Sequence, residues 1–334
     1  MRCRLIGLFL AVLVPALAVG QGGAVADRVV TRGKDGKLTT LTGEVKEAAN
    51  GVQVLAGGKT TVYTPAELVR IDYAELPGVA KLDMQKAQAF EDGRDPARAA
   101  AEFADLVKKA GTNDRARRYA QFREAVWAAK VADGKAGDEF AADAAKAAAK
   151  LEAVARGTKK GWDCWPAGRL AARLYGELGD FAKVASLYAE LAAAELPKEL
   201  KAEAKLDEVA AHLRAGHKDQ AATALAQADK ELLPDRRAVL AAAVAGDVAK
   251  LQAAVDAAKE PAAKAVGYNL LADALLAAGK PRDALWARLW VDAVYTQSAD
   301  ERVLAVRKLA DQFAAQGDAD RAEQFRGRLR EVRQ

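Results

Sequence analysis

Five glycine-centred turns in the second half of the chain limit its possible folds most strongly. Each turn lies between two segments whose apolar residues repeat with helical spacing, and the intervals between the glycines are 37, 30, 33 and 38 residues. A period of about 34 residues that holds two helices is typical of stacked helical hairpins, which make binding surfaces more often than catalytic centres. The turns are Gly179-Asp180, Gly216-His217, Gly246-Asp247, Gly279-Lys280 and Gly317-Asp318.

The composition favours helices and excludes a single large aromatic core. Of the 334 residues, 51% are hydrophobic but only 6% are aromatic, and much of the hydrophobic fraction is alanine. Alanine has the highest helix propensity and lets helix axes approach closely. The length suits two ordinary domains or one long stack of repeats. We therefore expect a mainly α protein in which an α-solenoid of helical hairpins forms the larger part.

The N-terminal segment has the organisation of a secretory signal peptide. The first four residues include two arginines, the 15 residues from Leu5 to Val19 are apolar apart from one glycine and one proline, and small residues follow. This order predicts a signal peptide at residues 1–20 and export to the periplasm or cell envelope of a bacterium. An uncleaved membrane anchor is the alternative, but the apolar run is shorter than the roughly 20 residues that span a bilayer.

The charge balance argues against nucleic acid as a partner. The whole chain carries a net charge of +5, and loss of Arg2 and Arg4 with the signal peptide leaves +3, which is mild for this length. The last residues are locally basic, and we interpret them as a solvated helix whose negative end the cations complement. These cations are Arg321, Arg326, Arg328, Arg330 and Arg333.

The nucleophilic and metal-ligating residues form no catalytic pattern. Cleavage of the segment that holds Cys3 would leave Cys164 alone, so we expect no intramolecular disulfide and a buried thiol. His212 and His217 stand five residues apart, which puts them on different sides of a helix end and does not suit a shared metal ion. We therefore predict a protein that is not an enzyme, with no catalytic residue, no cofactor and no metal.

Residues 27–73 differ from the rest because they alternate like short strands. Strand-like runs begin at Arg28, Leu38, Val52, Thr60 and Leu68, and turn residues separate them, with Asn-Gly at positions 50–51 as the strongest hairpin signal. Five strands in so short a segment favour a closed barrel, because closure removes exposed strand edges. The segment resembles the small SH3-like or Sm-like β modules at the N-termini of exported bacterial repeat proteins.

Residues 81–156 predict irregular helical hairpins. Asp95 is placed to cap a helix that begins with Pro96, and Asn113 lies in the capping sequence of the next helix. Residues 157–161 are glycine- and lysine-rich and predict a loop, and Trp162 and Trp165 follow at the junction with the regular repeats of residues 168–334.

The residues around the glycine turns carry a family resemblance. Small residues stand where two helices of a hairpin would cross, and bulky residues stand where neighbouring hairpins would meet, as with Ala172 and Tyr175 before Gly179. Ala272 before Gly279 and Ala310 before Gly317 repeat the pattern. In these features the chain resembles the tetratricopeptide repeat family. The resemblance implies an α-solenoid whose concave groove binds a partner protein or peptide, and it does not identify the partner.

Four tryptophans are the candidate partner-binding residues: Trp162, Trp165, Trp286 and Trp290. The last two fall on one helical stripe with Val294, and we interpret this stripe as core between repeats, with an aromatic groove wall as the alternative. The first two are interpreted as packing at the junction, with a ligand contact as the alternative.

The sequence therefore predicts a non-enzymatic protein–protein interaction scaffold of the bacterial envelope or periplasm. The alternative is an accessory module that binds an envelope polymer, peptidoglycan or another glycan, through the β module or the tryptophans. Neither hypothesis involves nucleic acid, and the membrane enters only through an uncleaved signal segment.

Overall fold

The structure is a computed structural model that describes residues 26–33, 36–48, 50–157 and 161–333. In this part of the chain 68% of the residues are helical. Fourteen described helices follow one five-stranded antiparallel sheet, which confirms the prediction of a mainly α protein. The predicted signal peptide at residues 1–20, with Cys3, lies outside the described residues. So do positions 34–35 of a predicted turn and positions 158–160 of the predicted loop.

The five predicted strands are confirmed, with pairing order β4-β3-β2-β1-β5. β2 changes its partner along its length, since its residues up to Gly43 pair with β1 and those from Glu44 onward pair with β3. A Cβ atom at Gly43 would lie 2.4 Å from the carbonyl oxygen of Leu55, so only glycine fits there. Closure into a barrel stays a prediction, since β4 and β5 are the two end strands. The strands are β1 (Asp27–Arg32), β2 (Leu38–Ala48), β3 (Gly51–Ala56), β4 (Lys59–Tyr63) and β5 (Leu68–Asp72).

Each of the fourteen described helices packs against the next one in the chain. The first hairpins are formed by α1 (Lys81–Asp92), α2 (Pro96–Lys109), α3 (Asp114–Asp133) and α4 (Gly137–Gly157). Those that follow are α5 (Cys164–Leu178), α6 (Phe181–Ala193), α7 (Lys198–Arg214), α8 (Lys218–Gln227), α9 (Pro234–Ala245), α10 (Val248–Ala257), α11 (Pro261–Ala277), α12 (Pro281–Ala293), α13 (Ala299–Ala315) and α14 (Ala319–Val332).

The five glycine turns are confirmed as helix ends. All five glycines have φ between +72° and +82°, which glycine adopts without the steric cost of a side chain. The aspartate after Gly179 starts the next helix by accepting a hydrogen bond from the Lys183 amide. The same device at Asp95 and Asn113 confirms the predicted caps of α2 and α3.

The apolar core is divided along the chain. One cluster runs from Val29 to Ala211 and joins the sheet to α1 through α7. A second runs from Leu206 to Ala287 through α7 to α12. The last hairpin contributes to three much smaller clusters. None of the described helices is long and apolar enough to cross a membrane.

Candidate functional site

Trp162 and Trp165 lie inside the protein. Each is 2% exposed, and the Trp162 ring meets Phe122 edge to face with centroids 5.3 Å apart. Trp165 lies in the first turn of α5, and Trp162 lies just before that helix. Pro166 is compatible with this helix because a proline in the first turn removes no helical hydrogen bond. The burial supports the packing interpretation, and neither ring is presented to a partner.

Trp286, Trp290 and Val294 lie on the surface, where 56%, 47% and 45% of each residue is exposed. Our expectation that this stripe forms core between repeats is therefore wrong. α12 turns its other stripe inward, where Ala284 and Val291 are fully buried. Residues at i, i+4 and i+8 share one helix face, so the tryptophan stripe must point away from that packing.

Two tyrosines extend the tryptophan stripe into an aromatic platform, which we define as Tyr268, Trp286, Trp290, Val294 and Tyr295. The ring centroids of Tyr268 lie 6.4 Å from Trp290 and 5.4 Å from Tyr295, and both pairs are stacked. The ammonium of Lys264 lies 5.8 Å from the centre of the Tyr295 ring. Stacking fixes Tyr268, Trp290 and Tyr295 against one another, and Trp286 lies one helical turn before Trp290, so the platform is an apolar surface with a preformed centre and a cation at its edge.

A polar cavity of about 220 Å³ is lined by residues of α5, α6, α7, α9, α11 and α13, which we call the inner helices. Four arginines line it together with carboxylates, among them Asp207, which pairs with Arg236. Burial raises the pKa of Asp207 to about 6, against the opposing charge of Arg236. Because the lining charges are paired within the protein, the cavity wall is occupied by internal ion pairs. The arginines are Arg169, Arg173, Arg214 and Arg236.

Three ion pairs join the last hairpin to helices much earlier in the chain, and we call them the return contact. Arg169 Nη2 lies 2.8 Å from Asp300 Oδ2, and Arg214 Nη2 lies 2.6 Å from Glu301 Oε2. Arg333 Nε donates to Glu177 Oε2 at 2.7 Å. The pairs are Arg169–Asp300, Arg214–Glu301 and Glu177–Arg333, and they bring α13 and α14 to the inner side of α5 and α7.

Our interpretation of the basic C-terminus as a solvated helix is wrong for Arg333. Its side chain is 4% exposed, and its guanidinium lies 3.7 Å from the centre of the Phe140 ring as well as on Glu177. Arg328 also pairs with a buried partner, Asp292, at 2.6 Å. A basic last turn is typical of solvated helix ends, so sequence alone carried no signal for these partners.

The histidines and the cysteine show no catalytic arrangement. The rings of His212 and His217 lie 6.0 Å apart between centroids, so our expectation that they fall on different sides is wrong. Burial lowers the pKa of His212, and no group of three or more potential metal ligands occurs in the described residues. The Cys164 thiol donates to the Ala155 carbonyl oxygen, and burial raises its pKa to about 11, which keeps it protonated at neutral pH.

Neither comparison with known proteins assigns a family. A scan against protein-family models finds no match to this chain. A search of the curated proteins likewise finds no matching relative. The tetratricopeptide resemblance therefore stays a prediction, and we infer the function from the geometry of the platform, the cavity and the return contact.

Proposed function

We propose that this chain is an exported, non-enzymatic protein–protein interaction scaffold. It is built as a tetratricopeptide-like α-solenoid behind an SH3-like or Sm-like β module, and it acts in the periplasm or cell envelope. Positive-φ glycines at five helix ends and the packing of each helix on the next support the solenoid. The change of partner along β2 at Gly43 supports the barrel-like module.

The observation that carries the proposal is the aromatic platform. Exposed apolar residues that adjoin one another mark interaction sites, and tryptophan and tyrosine are enriched at the centres of protein interfaces. Rings already stacked in the free protein lose little conformational freedom on binding. A protein or peptide partner that covers Trp286 and Trp290 would remove their exposed surface from water.

The platform supports the proposal better than the concave groove that the family resemblance implies. The inner side of the hairpins is lined by paired charges, and the return contact brings α13 against α5 and α7 there. A partner in the groove would have to displace these pairs, whereas a partner on the platform displaces only water.

Crosslinking with mass spectrometry in the native cell tests the proposal. The full chain should give a defined set of crosslinked proteins, and Trp286→Ala/Trp290→Ala should lose them. The matched control is Leu82→Ala, an apolar residue on α1 that is 76% exposed and far in sequence from the platform, and it should keep the set. Identical partner sets from the platform variant and the control would contradict the proposal.

Co-sedimentation separates this function from polymer binding. An accessory module for envelope polymers would co-sediment with purified peptidoglycan in the absence of other proteins. The scaffold proposal expects the full chain to stay in the supernatant in that assay. Recovery in the pellet that depends on Trp286 and Trp290 would instead assign the platform to a glycan.

A further inference from the structure

The last hairpin reaches α5 through charge rather than through apolar packing. α13 contacts α5 although seven helices lie between them in the chain. Among the described residues, no apolar cluster contains side chains of both helices. α5 belongs to the cluster that runs from Val29 to Ala211, and α13 belongs only to the three small C-terminal clusters.

Contacts with neighbouring helices hold α13 and α14 independently of the return contact. Ala305 of α13 packs with Ala265 of α11 and Val291 of α12, and Leu329 of α14 packs with Val303. In a stack of hairpins each unit rests mainly on its neighbours, so separation of the two ends requires no local unfolding. The return contact is thus a further interaction between distant helices, beyond the packing of neighbouring hairpins.

The three pairs of the return contact differ in exposure. Arg169 and Asp300 keep 39% and 34% of their side chains exposed, so added salt screens this pair directly. Arg214 and Glu301 are 10% and 9% exposed, and Arg333 and Glu177 are 4% and 2% exposed. For buried ions the loss of hydration offsets much of the attraction between the charges, so such pairs fix the relative position of two helices more than they add stability.

We propose that the return contact is an electrostatic clasp that holds the two ends of the hairpin stack together. Removal or screening of its charges lets α13 and α14 move away from α5 and α7 while they stay packed on α11 and α12. Opening enlarges the cavity between the inner helices into an accessible channel. The uncovered wall then carries Arg169 and Arg214 without the carboxylates of α13. This device is independent of whether the aromatic platform binds a partner.

Two of the three pairs of the clasp depend on one short segment, which allows them to open and close together. Asp300 and Glu301 are adjacent at the start of α13, so one short segment supplies the carboxylates for both Arg169 and Arg214. Glu301 also accepts from the side-chain amide of Asn269 on α11, which fixes its orientation within its own half of the stack. A small displacement of that one segment therefore breaks two pairs at once.

Spin-label distance measurement tests the clasp. Labels at Ala182→Cys on α6 and Gln324→Cys on α14 occupy exposed positions on the two sides of the return contact. The full chain carries Cys3→Ser, and Cys164 stays because it is buried. The parent should give a narrow distance distribution at low salt. At about 1 M salt, where the screening length is about 3 Å, screening of the half-exposed Arg169–Asp300 pair should broaden the distribution to longer distances, though less than removal of the charges does.

Neutral variants decide the outcome. Asp300→Asn/Glu301→Gln should give the longer, broader distribution already at low salt. The matched control Asp320→Asn/Glu323→Gln removes the same charge from exposed positions of α14 and should keep the parental distance. A distribution that stays parental both in Asp300→Asn/Glu301→Gln and in the parent at high salt would overturn the clasp. So would equal broadening in the control variant.

Discussion

Different forces hold the N-terminal half of this molecule and its last hairpin in place. The sheet and α1 through α7 share one apolar cluster, in which Phe103, Leu151 and Leu174 are completely buried. α14, by contrast, buries only Ala322 and Leu329, and it reaches distant helices through Arg328 and Arg333. The first region should therefore respond mainly to changes of volume in its core, whereas the attachment of the last hairpin to α5 and α7 should respond mainly to changes of charge.

The largest effect is expected in the shared apolar core. Trp165→Ala should lower the free energy of unfolding by about 3–5 kcal/mol, because it removes a buried ring and leaves a cavity. Trp286→Ala, the matched change at an exposed tryptophan, should stay within about 0.5 kcal/mol. Urea unfolding followed by circular dichroism measures both. Equal losses would show that the two tryptophans have similar surroundings, contrary to this account.

The next effect separates a buried ion pair from a surface pair. Glu177→Gln should cost about 3 kcal/mol, because it leaves the buried Arg333 without its carboxylate. Glu323→Gln removes the exposed partner of Arg326 and should cost less than about 1 kcal/mol. Chemical denaturation of both variants at one ionic strength gives the comparison. If the Glu177 variant were as stable as the Glu323 variant, the Glu177–Arg333 pair would not contribute to holding the last hairpin.

Local features of this fold could be predicted from sequence, because they depend on a few adjacent residues. A glycine at a helix end, an aspartate before a helix and an Asn-Gly hairpin each specify their own backbone, and Gly179, Asp95 and Gly51 behave as predicted. The return contact could not be predicted in this way. Arg169 and Asp300 stand 131 residues apart, and each also fits an ordinary surface position on a helix.

The aromatic platform shows a second limit of sequence reasoning. α12 carries two stripes at helical spacing, one that includes Ala284, Ala287 and Val291 and one that includes Trp286 and Trp290. Periodicity shows that the stripes lie on different faces, but not which face is buried. In the folded protein the first stripe packs against neighbouring helices and the tryptophans remain exposed.

A smaller effect tests the close approach of helices in the repeats. Ala272→Leu should cost about 1–3 kcal/mol, because Ala272 is completely buried where helices pack and a larger side chain must displace its neighbours. Ala277→Leu, at an exposed position of the same helix, should be nearly neutral. Thermal unfolding of the pair measures the difference. Equal melting temperatures would contradict the packing of α11 described above.

The last effect depends on pH and concerns the charges around the cavity. The pKa of Asp207 rises from 3.8 to about 6 in the folded protein through burial, so the folded state binds its proton more tightly than the unfolded state. The stability from this group is complete below pH 3.8 and is lost as the pH rises through about 6. Asp207→Asn should remove this loss of stability with rising pH. Measurement of the free energy of unfolding between pH 3.8 and about 6 checks the prediction, and a variant whose stability falls with pH as steeply as that of the parent would contradict it.

Hydrogen exchange at increasing salt concentration tests the central comparison most directly. The full chain is exchanged at low and at high salt, and protection is compared between the first turn of α13, which holds Asp300, and α2, whose buried Phe103 belongs to the large cluster. We predict that exchange around Asp300 accelerates as salt screens the half-exposed Arg169–Asp300 pair, while exchange in α2 stays the same. Salt-independent exchange around Asp300, or the same acceleration in both helices, would contradict an attachment made by charge.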